Sequence, residues 1–250
     1  MKEVTVISIW NKKEQFQHFV KVLNEQRNIK INLISIDNSA NKYRGAREAY
    51  NSVLSQINTE IVFFMHPDIV FCDEMNMAYM LESVENLNEY GVVGVAGCKE
   101  GRQWNLLSNI IHGKMKENAG INVNEIEEVQ TVDECLFIMR KQYLEEEGFS
   151  ELLGWHLYAV EQCLIAIEKG YKNYIIPVKV WHQSSGGSLD PSYMKCLSEI
   201  IKMFGERHMY INTTVKQWVT KGVLARLYRE YYYLKQIMKK YIVYMSRRFR

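Results

Sequence analysis

Residues 61–70, IVFFMHPDIV, decide the fold. Five apolar residues run without interruption and meet His66-Pro67-Asp68. A short apolar run with no polar alternation predicts a strand buried on both faces, inside a sheet covered by helices. Outward from it, residues 4–10 and 30–36 also read as strands, rich in Val, Ile and Thr. Residues 12–27 place Phe16, Phe19, Val20 and Leu23 at helical spacing, and 44–56 do the same with Ala46, Ala49, Tyr50 and Val53. Residues 73–90 read as a helix and 92–96 as another buried strand. The resulting β-α-β-α-β-α-β order predicts an α/β, doubly wound sheet flanked by helices.

The second half is less regular. Residues 98–127 are polar, contain Gly101, Gly113 and Gly120, and read as a loop region over a site. Residues 129–132 and 136–139 predict short strands around Asp133-Glu134. Residues 157–169 predict a helix closed by Gly170, 174–181 a strand ending at His182, and 191–208 a further helix.

The chain of 250 residues is 47% hydrophobic and 24% charged, which excludes a disordered, collagen-like or disulfide-stapled protein. Five scattered cysteines without a CxxC pair suit reduced thiols in a cytoplasmic protein. Residues 1–10 carry Glu3 and read as a first strand rather than a leader, and no segment approaches the ~20 apolar residues of a membrane span. The formal charge of +2 is unevenly placed. Residues 216–250 hold ten Lys/Arg against one acid, Glu230, a net of +9, which leaves −7 for residues 1–215. We therefore divide the chain into a body, 1–212, and a basic, aromatic, helical extension, 213–250.

In open α/β sheets ligands bind beyond the carboxyl ends of the strands. Three predicted strand ends are polar there: Asp37-Asn38, His66-Pro67-Asp68 and His182. Asp37 can accept from a base or ribose group, or simply form a turn with Asn38 and Ser39. Asp68 ends the most apolar strand and is placed to help hold a hard divalent cation, although a strand-ending turn explains it equally well. His182 precedes Gln183-Ser184-Ser185-Gly186-Gly187, where a serine hydroxyl such as that of Ser184 can meet phosphate. Glu161 falls on the apolar face of its helix, one turn after Leu157, so it needs a partner or a role unless it reaches water. Asp133 and Glu134 are either a hairpin turn or acids lining a crevice.

Taken together, ISIDN (34–38) with the following helix, IVFFMHPDIV (61–70), and GWHLYAVEQCLIAIEKG (154–170) leading to VKVWHQSSGG (178–187) resemble the family 2-like glycosyltransferases of the GT-A fold. The resemblance covers about residues 4–187. It implies a nucleotide-diphosphate-sugar donor, a UDP-sugar first. Asp37 and Asn38 would face the nucleoside, Ser184 the diphosphate, and Asp68 with His182 would hold Mn²⁺ or Mg²⁺. A sugar would pass to a glycan or lipid-linked acceptor in surface polysaccharide or glycoconjugate synthesis. Two departures stand out. His66 replaces the first acid of the DxD-type segment, and Tyr158-Ala159 occupy the place of an acidic pair at the helix start. Glu161 and Asp133 are then the catalytic candidates, with His156 beside them. A catalytically silent nucleotide- or glycan-binding assembly partner is the alternative function. A nucleotidyltransferase would need a basic, glycine-rich loop after the first strand, which is missing.

The extension interleaves its cations with Trp218, Tyr228, Tyr231–Tyr233, Tyr241 and Tyr244. That composition suits an anionic membrane surface, placing the protein at the inner face of the membrane. Packing on the body or a homodimer contact fits it equally. No nucleic-acid motif is present, so a nucleic-acid partner is not expected.

Overall fold

The computed structural model describes residues 2–184 and 190–248. A seven-stranded mixed sheet forms the centre, in the spatial order Glu127–Val129, Asn173–Ile175, Val93–Gly94, Leu136–Arg140, Ile61–Met65, Lys2–Trp10, Ile29–Asp37. Lys2–Trp10 pairs in parallel with both Ile29–Asp37 and Ile61–Met65. Leu136–Arg140 runs antiparallel to Ile61–Met65 and Val93–Gly94.

Ile61–Met65 is buried along its whole length, as its composition requires. Ile61, Phe63 and Met65 enter one core with Phe19 and Leu23 of helix Lys13–Asn24 and Met77 and Met80 of helix Asn76–Glu85. Val62 and Phe64 enter the other with Tyr50 of helix Ala46–Asn51 and Tyr158 of helix Tyr158–Glu168. Alternate side chains thus serve opposite faces, and each phenylalanine contributes about 1.5–3 kcal/mol of burial. This is the GT-A-like, doubly wound arrangement that the sequence predicts.

Several predicted elements divide. The strand expected over 174–181 becomes Asn173–Ile175 in the central sheet and Val180–His182 in a second sheet. Pro177 lies between them and offers no amide to a ladder. The strand expected over 92–96 likewise splits into Val93–Gly94 and Ala96–Cys98, the latter joining Thr131–Val132 and Leu106–Ser108. The region expected to be irregular, 98–127, also supplies Ile110–His112 and Glu117–Asn118. These complete a four-stranded sheet with Ile69–Phe71 and Val180–His182. The helix expected over 73–90 is confined to Asn76–Glu85.

A third core cluster joins helix Tyr158–Glu168 to helix Pro191–Phe204 through Leu164, Leu197 and Ile200. Trp218 completes it from the hairpin Tyr210–Asn212/Gln217–Val219. The boundary drawn at 212 therefore falls within this hairpin, and the chain leaves the body after it as the helix Val223–Arg248. No helix among the described residues is long and apolar enough to cross a membrane.

Candidate active site

The His66-Pro67-Asp68 turn links two sheets. The His66 amide donates to the Cys135 carbonyl (2.8 Å) on the central sheet, and the Gln183 amide donates to the Asp68 carbonyl (3.0 Å) on the second. Antiparallel pairing sets His182 opposite Ile69, next to Asp68, and parallel pairing sets it beside His112. The His182 Nε2 lies 3.3 Å from the Asp68 carboxylate and 3.0 Å from the Ser184 hydroxyl. The His66 Nε2 meets the Tyr158 hydroxyl at 2.8 Å. Ligating atoms of His66, Asp68 and His182 all fall within 4.8 Å of one another.

The electrostatics fit this geometry. Burial raises the Asp68 carboxyl, but the hydrogen bond from His182 and the charges of His182 and His66 outweigh it and hold Asp68 well below the usual range. Burial lowers His182, and the Asp68 carboxylate more than reverses that, so His182 is raised. His66 and His112 are lowered by burial first and by His182 second. A carboxylate and two imidazoles make a donor set for a divalent transition-metal ion; Mn²⁺, though hard, accepts imidazole beside carboxylate more readily than Mg²⁺ does. Among the described residues the buried Nδ1 of His182 has no hydrogen-bond partner. The residues fit a divalent metal.

This cluster forms the wall between two cavities. One, about 450 Å³, is lined by Trp10, Asn38, Tyr50, Asp68 and Trp155. The other, about 510 Å³, is lined by Ser108, His112, Asp133, Glu134, His156 and His182. His66 borders both. The second cavity contains the acids of the Asp133-Glu134 turn. Asp133 accepts from the Cys135 amide (3.0 Å) and the Thr214 hydroxyl (2.6 Å). Burial raises its carboxyl, and these bonds outweigh burial and leave it lowered. Glu134 accepts from the Tyr158 amide at 2.8 Å, at the start of helix Tyr158–Glu168. Burial, then the neighbouring Asp133 charge, pushes it up to about 8.

The loop that begins this helix is tightly seated. The Ala46 amide donates to the Gly154 carbonyl (3.1 Å), and a Cβ on Gly45 would stand 2.6 Å from the Gly154 backbone. Glycine is required there for close approach. Beneath it, Arg47 forms an ion pair with Glu161, both 1% exposed, and donates to the His156 carbonyl at 3.2 Å.

The expected site residues are thus distributed unequally. Asp68, His182 and Ser184 come together, and Asp133 faces the adjoining cavity. Asn38 lines the first cavity, but its side-chain oxygen accepts the Tyr43 amide at 2.8 Å. Asp37 lines neither cavity; its exposed carboxylate accepts the Ser39 amide at 2.8 Å, the turn geometry of an Asp-Asn-Ser sequence. Glu161 also lines neither, and its inward position is explained by Arg47. Ser185, Gly186 and Gly187 lie outside the described residues. Sequence reasoning missed His112, which only strand pairing brings to His182, and the contact between Glu134 and the helix start.

The same architecture recurs in solved structures. S. aureus TarS in complex with UDP-GlcNAc superposes with a TM-score of 0.51 at 12% identity, over 81% of this chain and 66% of that one. The mannosyltransferase PcManGT from Pyrobaculum calidifontis, in complex with GDP-Man and Mn²⁺, matches with a TM-score of 0.51 at 13% identity, over 81% and 63%. The chain spans less than two thirds of the length of either match. At these identities the likeness establishes a GT-A fold. No curated protein sequence matches the chain. The model of the Glycosyltransferase like family matches residues 5–202, which include His66, Asp68, Asp133, Glu134 and His182, and the chain belongs to that family.

Proposed function

We propose that the protein is a metal-dependent glycosyltransferase. It moves a sugar from a nucleotide-diphosphate-sugar, a UDP-sugar first, to a hydroxyl of a glycan or lipid-linked acceptor in surface polysaccharide or glycoconjugate synthesis. The carrying observation is the His66, Asp68 and His182 cluster set between a cavity suited to a nucleotide and a cavity containing an acid pair.

The donor occupies the first cavity, where Trp10 and Trp155 offer aromatic faces to a base and Asn38 lies on the wall. Asp68 and His182, with His66, would hold Mn²⁺ or Mg²⁺, and Ser184 would contact the diphosphate. A divalent ion there supplies charge neutralisation for the departing nucleotide diphosphate. The acceptor occupies the second cavity. Its oxygen forms the bond to the anomeric carbon while the bond to the diphosphate breaks, the electron pair leaving with the nucleotide.

Glu134 receives the acceptor proton. A base with a value near the working pH is the more effective one, and Glu134 meets the Tyr158 amide at the helix start where the acid pair is missing. Asp133 has both oxygens engaged, so it orients Thr214 and keeps Glu134 basic by its charge. Glu161 anchors the Gly154–Leu157 loop through Arg47. Calorimetric titration with UDP and Mn²⁺ tests this reading. Wild-type protein binds UDP in a metal-dependent manner and Asp68→Ala does not; equal binding by both would refute the donor site.

A further inference from the structure

The long C-terminal helix Val223–Arg248 uses only one face against the body. Tyr232 packs edge-on to Trp218 with ring centres 5.2 Å apart, Gln236 is buried, and Arg229 donates to the Val219 carbonyl. The opposite face presents Leu224, Leu227, Tyr231, Leu234, Met238 and Tyr241, all more than half exposed. Their spacing alternates between three and four residues, which is a seven-residue repeat with two apolar positions. At 100° per residue they form a stripe ~100° wide, and Met245 takes the next place in the repeat. An exposed apolar stripe of this length marks an interaction surface.

We propose that this stripe is the docking surface for a second copy of the same chain, the two helices forming a parallel coiled coil. Three observations commit the surface to that occupant. The repeat is 3.5 residues, the period a left-handed supercoil holds in register. The flanking charges are complementary. With Leu224 and Leu227 as the two apolar positions, Glu230 borders one edge of the stripe and Lys235, five residues on, borders the other. That is the interhelical pair of a parallel two-stranded coil, made twice by symmetry. The area is sufficient. With Val223, Tyr228, Ile237 and Ile242 beside the stripe, ten apolar side chains between 39% and 82% exposed offer on the order of 1,000 Å² per copy, against the ~800 Å² per partner of a stable interface.

A bilayer fits this face less well. A helix lying on anionic lipid sets its cations along the edges of the apolar face. Here Arg226 pairs with Glu230 (3.1 Å), Arg229 bonds the body and Lys240 is 3.8 Å from Asp190, so that Lys235 and Lys239 stand beside one edge only. One edge of the stripe carries an acid.

Sedimentation equilibrium of the full chain tests the proposal. Wild type is expected at twice the 29.5 kDa chain mass. Leu234→Glu with Met238→Glu, both at exposed positions, gives a monomer with an unchanged far-UV spectrum. Glu230→Lys and Lys235→Glu each weaken dimerisation roughly tenfold, and the double charge swap restores it. A monomeric wild type overturns the proposal, as does failure of the double swap to recover the dimer. A monomer that binds phosphatidylserine vesicles, and loses that binding in L234E/M238E, assigns the face to a membrane and equally overturns it.

Discussion

Replacing Glu134 by Gln separates its chemical role from its structural one. Gln keeps an oxygen for the Tyr158 amide, which Glu134 accepts at 2.8 Å, but it cannot take a proton. The carboxyl stands at about 8 in the folded protein against an ordinary 4.5, with burial the first cause and the Asp133 charge the second. Between those values the folded chain keeps a proton that the unfolded chain has released. Wild-type stability therefore falls as pH rises from 4.5 to about 8 and levels off above. At pH 7 the integrated loss is about 3 kcal/mol, and water reaching the cavity reduces it to on the order of 1–3 kcal/mol. The Gln variant has no such loss, so its Tm at pH 7 rises by roughly 2–10 °C and its stability is flat over that window. Turnover moves the other way. Loss of a general base costs about 10²–10⁴-fold in kcat, and the rising limb of kcat/KM, with its midpoint near 8 in wild type, disappears. Thermal melts at pH 5, 7 and 9 and a pH–rate profile with the donor found by nucleotide-sugar screening are the assays. A Gln variant that melts as wild type does at pH 7, or that keeps wild-type turnover, refutes the argument.

Other consequences follow from the same geometry. Asp68→Ala removes a proposed metal ligand, and the proposed Mn²⁺-dependent UDP binding is expected to weaken by more than the ~10–100-fold typical of outer-sphere losses, read by titration calorimetry. Glu161→Ala leaves Arg47 buried without its counter-ion and destabilises the fold by ~3–5 kcal/mol in urea unfolding, a stability defect instead of a selective loss of kcat. Gly45→Ala forces a methyl group against the Gly154 backbone and costs about 1–3 kcal/mol, measured in the same way, with a raised donor KM because the Gly154–Leu157 loop shifts. Truncation after residue 212 removes Trp218 from its core and lowers Tm strongly, whereas truncation after 222 keeps Trp218 but removes Tyr232 from it and lowers Tm less.

The sheet was legible because its signal is local. Ile61–Met65 has no polar residue to face water, so burial on both sides is its only favourable state, and the neighbouring strands and helices follow from periodicity. The site was legible where polarity interrupts such a run, at His66-Pro67-Asp68 and His182. It was obscured where the deciding interaction is distant in sequence. Glu161 looked catalytic because an inward carboxylate needs a partner, and its partner, Arg47, lies 114 residues away. His112 gave no local signal because its position beside His182 comes from the pairing of two short strands that Pro177 and the 98–127 region conceal.

The charge asymmetry of the chain takes on a physical meaning through these contacts. The cations of the extension looked like a single field directed at an anionic surface. In the folded chain Lys216 reaches the Tyr228 hydroxyl, Arg226 pairs with Glu230, Arg229 bonds a body carbonyl and Lys240 approaches Asp190. Arg226 pairs within the helix itself, whereas Lys216, Arg229 and Lys240 tie the helix to the body, and surface contacts of this kind contribute only ~0–1 kcal/mol each. Their combined effect is orientation. By directing the polar face of the helix toward the acidic body, they leave Leu224, Leu227, Tyr231, Leu234, Met238 and Tyr241 facing outward as one surface. Raising the salt concentration should therefore screen both the Lys240–Asp190 contact and the Glu230–Lys235 pairs across the dimer, while the apolar stripes of the two copies keep their contact. A dimer that salt weakens by more than the tenfold lost in either single charge variant would contradict that division of labour between the two faces.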